Sequence, residues 1–528
     1  MNNILQHKWF LITGLVALLG VFFLLFYRAP YSNRTLVGNL EPYPDTLFYS
    51  QPAWNMVHGN GYVMEAYGYK TKIVTPPVYT FYLAPFFAAF NDIRSFYFAN
   101  IILSFISVVM LLAIIRKVFP GKYSNVLMVT GGFLYLTNFY IFTLPTLLMA
   151  ENITITLFLV MLYFLVEKIT VRNSIIAGII GIVLLGVKFS NLPLTATFYL
   201  IYLWRIYKET SAASSQMRSY MAATSASGVI LATYIISSQI LIGHKNLNAN
   251  TSLNIIYLLP NLKTYLNTLM GTPASFLWFY YPMVSSFVGI LSAIGAIVGI
   301  ASPKLRRFCT YILIISGAHI LFGSLFYATD SRYITVLYPL MILFICGIFS
   351  IVLQRVSLIK ALSIIAIVMT AYLVVPSFGQ IPSDPILITL KKQVGINFRH
   401  AEVPWHTIAV REWTTFAREQ EEVPYIGTFL PPYFLYYYAR DDINYVPTTP
   451  GQEFFYDKID QSDDYATSLV DFYRSLLEDG NRVYVSSYYS TNVSGWDSLY
   501  NDLVSNFHMD LAHKGCMGVC SLYELKLK

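Results

Sequence analysis

Long apolar segments alternate with short polar ones along most of this sequence. About eleven of them are long enough, or nearly so, to cross the hydrocarbon core of a membrane, which takes about 17 to 25 helical residues. They lie near residues 9–27, 96–115, 124–145, 151–166, 174–188, 190–205, 219–242, 283–301, 308–327, 333–353 and 357–376. The pattern predicts a polytopic α-helical membrane protein with about 11 transmembrane helices in residues 1–376.

Two further apolar features need separate interpretation. The first segment, 9–27, could be taken for a signal peptide, but it is long for one and no small-x-small cleavage site follows it. We therefore expect a retained first helix. The stretch 76–90 is apolar but short and proline-rich, so it predicts a surface or re-entrant helix within the first external loop, 28–95.

Basic residues fall in alternate loops between these segments. With the N-terminus inside, the inner loops hold Arg116/Lys117/Lys122, Lys168/Arg172, Arg205/Lys208/Arg218, Lys304/Arg306/Arg307 and Arg355. This arrangement satisfies the positive-inside rule. An odd number of spans then places the 28–95 loop, the start of the span at Glu151, the loop 244–282 and the C-terminal region outside.

After residue 377 the sequence becomes charged and rich in turns. Helical patterns cover 408–421, 464–478 and 494–507, and strand patterns cover 425–429, 482–489 and 520–526. Their alternation predicts a C-terminal extracytoplasmic α/β domain over 377–528.

Composition agrees with a membrane protein. Of the 528 residues 56% are hydrophobic and only 12% are charged, whereas soluble domains carry about 25% charged residues. The net charge is +7, but the basic residues are dispersed and form no patch with exposed aromatic residues. We therefore expect no nucleic-acid partner.

The four cysteines fall into two groups. Cys309 and Cys346 lie within predicted spans and are interpreted as packing residues. Cys516 and Cys520 lie in the external domain, where a disulfide is expected. The alternatives are free thiols or a metal site that uses His508 and His513.

The stretch from Glu41 to Tyr62 holds the strongest catalytic candidate, Asp45. Two prolines precede this acid, and Tyr49, Ala53 and Val57 follow it at helical spacing. Gly59 and Gly61 end the pattern, which predicts a short amphipathic helix along the membrane surface.

This stretch resembles the first external loop of the GT-C glycosyltransferases, which include protein O-mannosyltransferases and lipid A aminoarabinose transferases. Thr75-Pro-Pro-Val-Tyr79 is similar to the Pro-Pro step of that superfamily, and Asp330-Ser-Arg332-Tyr333 is similar to its late Arg-Tyr motif. The resemblance implies transfer of a sugar, with inversion, from a polyprenyl-phosphate donor to a lipid, glycan or protein acceptor at the outer face of the cell membrane.

Two carboxylates are the catalytic candidates under this resemblance. Asp45 corresponds to the general base, and its alternative role is to cap the helix that follows. Thr46 stands where many relatives place a second acid, so Glu151 is the expected substitute. Its alternative is an acid stabilised by a helix N-terminus. No cofactor is certain; a divalent metal would find Asp45 and Glu151 as ligands.

Lys188 and Arg332 are the cationic candidates. The resemblance implies that they hold the donor phosphate, and the alternative is that both side chains extend to the membrane interface. Four further residues, together with Lys70, could line the same cleft: Tyr333, His58, Tyr62 and Lys72.

Two functions from other classes compete with glycosyl transfer. A transporter or flippase of lipid-linked sugars would need charged or broken helices near the middle of the membrane. A non-catalytic scaffold subunit would use the α/β domain to bind a partner. Transfer activity that depends on Asp45 would separate the enzyme from both.

Overall fold

The computed structural model describes residues 45–66, 69–71, 75–91, 94–138, 140–141, 144–146, 148–209, 213–242, 253–276, 279–326, 330–354, 356–357, 360, 363, 367, 405–428, 442–448, 465–487, 496–515, 518 and 520–528. The chain divides into two compact units. The first comprises Met1–Ser32 and Val74–Arg399, and the second comprises Asn33–Ile73 and His400–Lys528. The expected boundary between residues 376 and 377 lies outside the described residues and stays a prediction.

The second unit begins with the stretch that contains Asp45. Helix α1 (Asp45–Val57) is followed by the antiparallel hairpin of β1 (Met64–Ala66) and β2 (Tyr69–Thr71). Gly59 and Gly61 have φ values of 79° and 82°, a conformation that glycine adopts without steric cost. These glycines end the helix where the sequence predicts.

The burial of α1 differs from the single apolar face that the sequence predicts. Tyr49 and Ala53 are buried as expected, but Ser50, Gln51 and Asn55 are buried as well. The Asn55 amide explains its own burial, because it donates to the Val63 carbonyl at 2.9 Å and so holds the turn after the helix. Polar side chains can be buried when they are hydrogen-bonded, and a hydrophobic pattern does not detect them.

The described part of the first unit is almost entirely helical. Its helices are α2 (Val78–Phe90), α3 (Arg94–Val118), α4 (Ser124–Thr137), α5 (Ala150–Val166), α6 (Val171–Leu185), α7 (Leu192–Glu209), α8 (Ala213–Ile242), α9 (Leu258–Leu269), α10 (Ser286–Ala301), α11 (Arg306–Gly323) and α12 (Tyr338–Leu353). A hairpin of β3 (Pro273–Phe276) and β4 (Phe279–Pro282) precedes α10. Helix α2 occupies the stretch that the sequence predicts as a surface or re-entrant helix.

Helices occupy the positions of the predicted spans between residues 96 and 353. Within the described residues, Ser95–Val118 and Ser331–Leu353 are long and apolar enough to cross a membrane. Four apolar helices are shorter: Val78–Phe90, Ala150–Val166, Val171–Leu185 and Ser286–Ala301. The predicted span 9–27 and most of 357–376 lie outside the described residues. The number of eleven spans therefore stays a prediction.

A seam of buried polar side chains joins α3 to α5. Ser104 donates to the Asn152 amide oxygen at 3.1 Å, and Asn152 donates to the Asn100 carbonyl at 2.8 Å. One turn further along, the hydroxyls of Ser107 and Thr156 lie 2.8 Å apart. Hydrogen bonds of this kind fix the rotation and height of one helix against another in an apolar interior. The seam thereby sets the position of the first turn of α5.

The C-terminal part of the second unit is the predicted α/β structure. Its helices are α13 (Trp405–Arg418), α14 (Tyr465–Glu478) and α15 (Trp496–Asn506). Its strands are β5 (Tyr425–Thr428), β6 (Asn444–Pro447), β7 (Val483–Ser486), β8 (Phe507–His513) and β9 (Leu522–Leu527). The sheet order is β6-β5-β7-β9-β8, with β6, β5 and β7 parallel and the remaining pairs antiparallel. Strands β6 and β8 are additions to the elements predicted from the sequence.

The cysteines follow the predicted grouping where they are described. Cys309 and Cys346 are free and buried, which agrees with packing roles in the helical unit. Cys520 is disulfide-bonded, but Cys516 lies outside the described residues, so the predicted pairing of these two cysteines stays a prediction.

Candidate functional site

Glu151 lies in the first turn of α5 and is buried. Its neighbour Asn152 belongs to the polar seam with α3, so the turn that carries Glu151 is held in place. The carboxylate accepts a hydrogen bond from the Lys188 ammonium, with 2.6 Å between Oε1 and Nζ. The two candidates from different parts of the sequence therefore form one ion pair.

Lys188 reaches Glu151 from the segment between α6 and α7. This lysine has an extended backbone and precedes a short 3-10 turn, Phe189–Asn191. The Asn191 amide donates to the Thr154 hydroxyl at 3.2 Å and to the Leu184 carbonyl at 3.1 Å. Since Thr154 belongs to α5, Asn191 fixes the Lys188 segment against the helix that carries Glu151.

Arg332 lies in a second 3-10 turn, Ser331–Leu337, whose N-terminus is capped by Asp330. The Asp330 carboxylate accepts from the Arg332 backbone N–H at 2.9 Å, and its second oxygen lies 3.3 Å from Arg332 Nε. Burial raises the pKa of the Asp330 carboxyl, and the charge of Arg332 opposes that shift. One acid thus caps the turn and pairs with the guanidinium that the turn presents.

Tyr333 brings the two cations together. Lys188 Nζ lies 4.6 Å from the centre of its ring, and Arg332 Cζ lies 5.0 Å from it. Arg332 also donates to the Tyr333 hydroxyl at 3.2 Å. Two carboxylates and two cations make up this group, which we call the cation cluster: Glu151, Lys188, Asp330 and Arg332. Its net formal charge is zero.

The cation cluster is only partly closed to its surroundings. The side chains of Lys188 and Arg332 are 22% and 17% exposed, whereas that of Glu151 is 8% exposed. Both cations can therefore be approached by an anion without first being uncovered, while Glu151 lies beneath them.

The Pro-Pro motif lies against the segment that carries Lys188. The Val78 backbone N–H donates to the Gly186 carbonyl at 3.0 Å. A Cβ atom on Gly186 would approach Val78 to 2.7 Å, so glycine permits this close contact. The adjacent Tyr79 hydroxyl is buried and donates to the Asn100 side chain at 2.7 Å. Two of the motifs that carry the resemblance, the Pro-Pro step and the Arg-Tyr motif, thus both contact the segment of Lys188 within the first unit.

His319 is not predicted as a site residue from the sequence, yet it contacts Tyr333, the residue whose ring lies against both cations. This buried histidine of α11 lies with its Nε2 2.8 Å from the Tyr333 carbonyl. The sequence marks Asp330 only as part of the Arg-Tyr motif, whereas in the structure its carboxylate pairs with Arg332. A lone acid or histidine beside an apolar run carries no sequence signal that separates a site residue from a core residue.

The remaining candidates belong to the second unit. Asp45 is the first residue of α1, and Lys70 lies in β2. His58 is exposed, stacks on Trp54 at 3.6 Å and hydrogen-bonds the Trp54 carbonyl at 2.9 Å. Tyr62 is half-buried in the turn that follows, and Lys72 lies outside the described residues. The roles of these residues stay predictions.

A metal site would need a group of ligand side chains. Within the described ranges, no three His, Cys, Asp or Glu side chains are grouped so that they could hold a metal ion. The Glu151 carboxylate is already engaged by an ammonium group, which competes with a divalent cation for the same oxygen. Binding of a divalent metal by Asp45 and Glu151 stays a prediction.

Comparison by sequence gave no relatives. The chain matches no protein-family model and no curated protein sequence at a significant level.

Solved structures match this chain over nearly its whole length. The crystal structure of ArnT from Cupriavidus metallidurans bound to undecaprenyl phosphate matches with a TM-score of 0.56 at 12% identity, over 96% of this chain and 97% of that one. The apo state of the same protein gives a TM-score of 0.57. The archaeal oligosaccharyltransferase AglB from Archaeoglobus fulgidus, in complex with an inhibitory peptide and a dolichol-phosphate, gives 0.53 at 10% identity, over 99% and 74% of the two chains. At these identities the agreement is one of fold.

Proposed function

We propose that this chain, which has the fold of the GT-C glycosyltransferases, transfers a sugar from a polyprenyl-phosphate donor to an acceptor. The reaction takes place at the outer face of a membrane that the chain crosses several times. The acceptor is a lipid, a glycan or a protein. The observation that carries the proposal is the placement of Lys188 and Arg332 on one tyrosine, since two convergent cations can both form charge-assisted contacts to one anionic phosphate.

The charges of the cation cluster suit a phosphate whose charge grows during the reaction. A sugar linked to polyprenyl phosphate is a phosphodiester with one negative charge. The departing monoester carries about −1.5 to −2 near neutral pH. Lys188 and Arg332 would therefore bind the leaving group more strongly than the donor, and such differential binding lowers the barrier.

Glu151 and Asp330 have a role that follows from the same charges. Each holds a cation in place while the site is free of donor. A donor phosphate would then share these cations with the carboxylates beneath them, and the product would be released because the carboxylates compete for the same cations. Glu151 is therefore proposed as the second carboxylate of the site.

Asp45 is proposed as the general base. An acceptor hydroxyl or amine attacks the anomeric carbon while its proton passes to the Asp45 carboxylate, and the bond from that carbon to the phosphate oxygen breaks. Attack opposite the leaving group inverts the anomeric centre. His58, Tyr62 and Lys72 are proposed as residues that line the path of the substrates.

Binding of undecaprenyl phosphate to purified protein in nanodiscs tests the phosphate assignment. Arg332→Ala should weaken binding by roughly 2 to 3 kcal/mol, since a charge-assisted contact to phosphate is lost. The matched control is Arg307→Ala, which removes an exposed arginine that pairs with Glu209 outside the cation cluster. Equal affinity in both variants and the wild type would exclude Arg332 from the phosphate site.

A further inference from the structure

His319 makes one hydrogen bond that fixes its protonation pattern. Its Nε2 lies 2.8 Å from the Tyr333 carbonyl oxygen. A carbonyl can only accept, so Nε2 must carry the proton. In the neutral ring Nδ1 then holds a bare lone pair.

The surroundings of the other ring nitrogen, Nδ1, indicate that this histidine has a role besides stability. Nδ1 is buried and has no hydrogen-bond partner within the described residues. A buried acceptor without a partner opposes folding. A charged ring would be worse, because burial of an unpaired charge is costly. The favourable contact of this ring is therefore the bond from Nε2.

That bond joins α11 to the turn that carries Arg332 and Tyr333, and Lys188 lies against the Tyr333 ring from another segment. The Tyr333 backbone N–H bonds within its own turn, to the Asp330 carbonyl at 3.1 Å. His319 holds the carbonyl of the same residue from a different helix. The backbone of Tyr333 is thus held by its own turn and by α11. Lys188 and Arg332 lie against the ring of this residue.

We infer that His319 is a positioning residue, which sets the spacing of Lys188 and Arg332 through the Tyr333 backbone. The inference rests on the proposed function, because the spacing matters only if the two cations share one phosphate. It assigns His319 no contact with the donor and no part in proton transfer.

Two substitutions separate the nitrogens of the ring. In His319→Gln the side-chain amide can replace Nε2–H as the donor to Tyr333. In His319→Asn a shorter amide occupies the place of Nδ1 and cannot reach the carbonyl. Positioning through Nε2 predicts that glutamine substitutes for histidine and asparagine does not.

The first measurement is the affinity of each purified variant for undecaprenyl phosphate in nanodiscs, together with its thermal unfolding midpoint. His319→Gln should bind within about threefold of the wild type, and His319→Asn about tenfold more weakly. The unfolding midpoint of His319→Asn should be the lower of the two, because this variant leaves the buried Tyr333 carbonyl without a donor, so both affinities are measured well below both midpoints. Two variants with the same affinity, whether both normal or both weak, would overturn the inference.

The second measurement does not depend on the donor. Magic-angle-spinning NMR of 15N-histidine-labelled wild-type and His319→Gln protein in liposomes assigns the His319 ring as the signal that is lost in the variant. That signal should be of a ring protonated at Nε2 and unprotonated at Nδ1; if the lost signal is instead protonated at Nδ1, in protein that binds undecaprenyl phosphate normally, the inference alone is overturned. Wild-type protein that binds no undecaprenyl phosphate, yet shows the Nε2-protonated ring, would instead overturn the proposed function.

Discussion

Replacing Lys188 by methionine removes a charge but keeps most of the volume of the side chain. Its partner Glu151, which is 8% exposed, then loses the ammonium that lies 2.6 Å from its carboxylate. Breaking a buried ion pair in this way costs about 3 to 5 kcal/mol. We expect about 3 kcal/mol, because 22% of Lys188 is exposed and Arg332 still acts on Glu151 electrostatically.

The reverse change should cost less. In Glu151→Gln the ammonium keeps its contact with the Tyr333 ring and can extend toward solvent, so we expect about 1 kcal/mol. The double variant, Lys188→Met with Glu151→Gln, leaves no uncompensated charge and should return close to wild-type stability. The structure therefore predicts a coupling of about 2 to 4 kcal/mol between the two sites.

The assay is thermal unfolding of the four proteins in detergent, followed by tryptophan fluorescence. A matched control is the Lys117–Glu167 ion pair, with side chains 34% and 20% exposed, whose coupling should be at most about 1 kcal/mol. If the double variant is as unstable as the sum of the single variants, Lys188 and Glu151 are not paired. The stabilised double variant should still bind undecaprenyl phosphate weakly, since it lacks the Lys188 charge.

Two further predictions concern the arrangement of the chain. In a cysteine-labelling scan of intact cells, a label site at Ser462 should react with an impermeant reagent and one at Ser124 should not; reaction at Ser124 would contradict the predicted topology. Deletion of residues after Pro382 should change acceptor range or yield more than donor binding, because the cation cluster belongs to the first unit. A stable truncated protein that binds no undecaprenyl phosphate would contradict this division of roles.

The sequence predicts individual residues of the site better than it predicts their contacts. The sequence predicts Glu151 and Lys188 as site residues partly because each lies at the end of an apolar segment. Their pairing was not predicted, because it depends on Asn191 and Thr154 holding two segments together. The contact of Val78 with Gly186 is similar, since it joins residues that are far apart in the sequence and depends on the absence of a side chain at Gly186.

The sequence predicts the elements that have a long hydrophobic period, whereas the edge strand β8 has little buried surface to mark it. The long helices from α3 to α12 carry a continuous apolar signal. Strand β8 follows α15 without a turn and lies at an edge of the sheet, where Phe507 is its only fully buried residue among those described. An edge strand of this kind lacks the alternation that marks a strand in sequence.

The most direct test of the account is transfer of a labelled sugar from a set of polyprenyl-phosphate sugars by wild-type and Asp45→Asn protein in proteoliposomes. A general base is needed only when the acceptor loses its proton, so the substitution should reduce transfer about a hundredfold or more. Undecaprenyl phosphate binding should be unchanged or slightly stronger, because one negative charge is lost. Near-normal transfer by Asp45→Asn protein would make Asp45 a helix-terminal residue only and would contradict its assignment as the base of a glycosyltransferase.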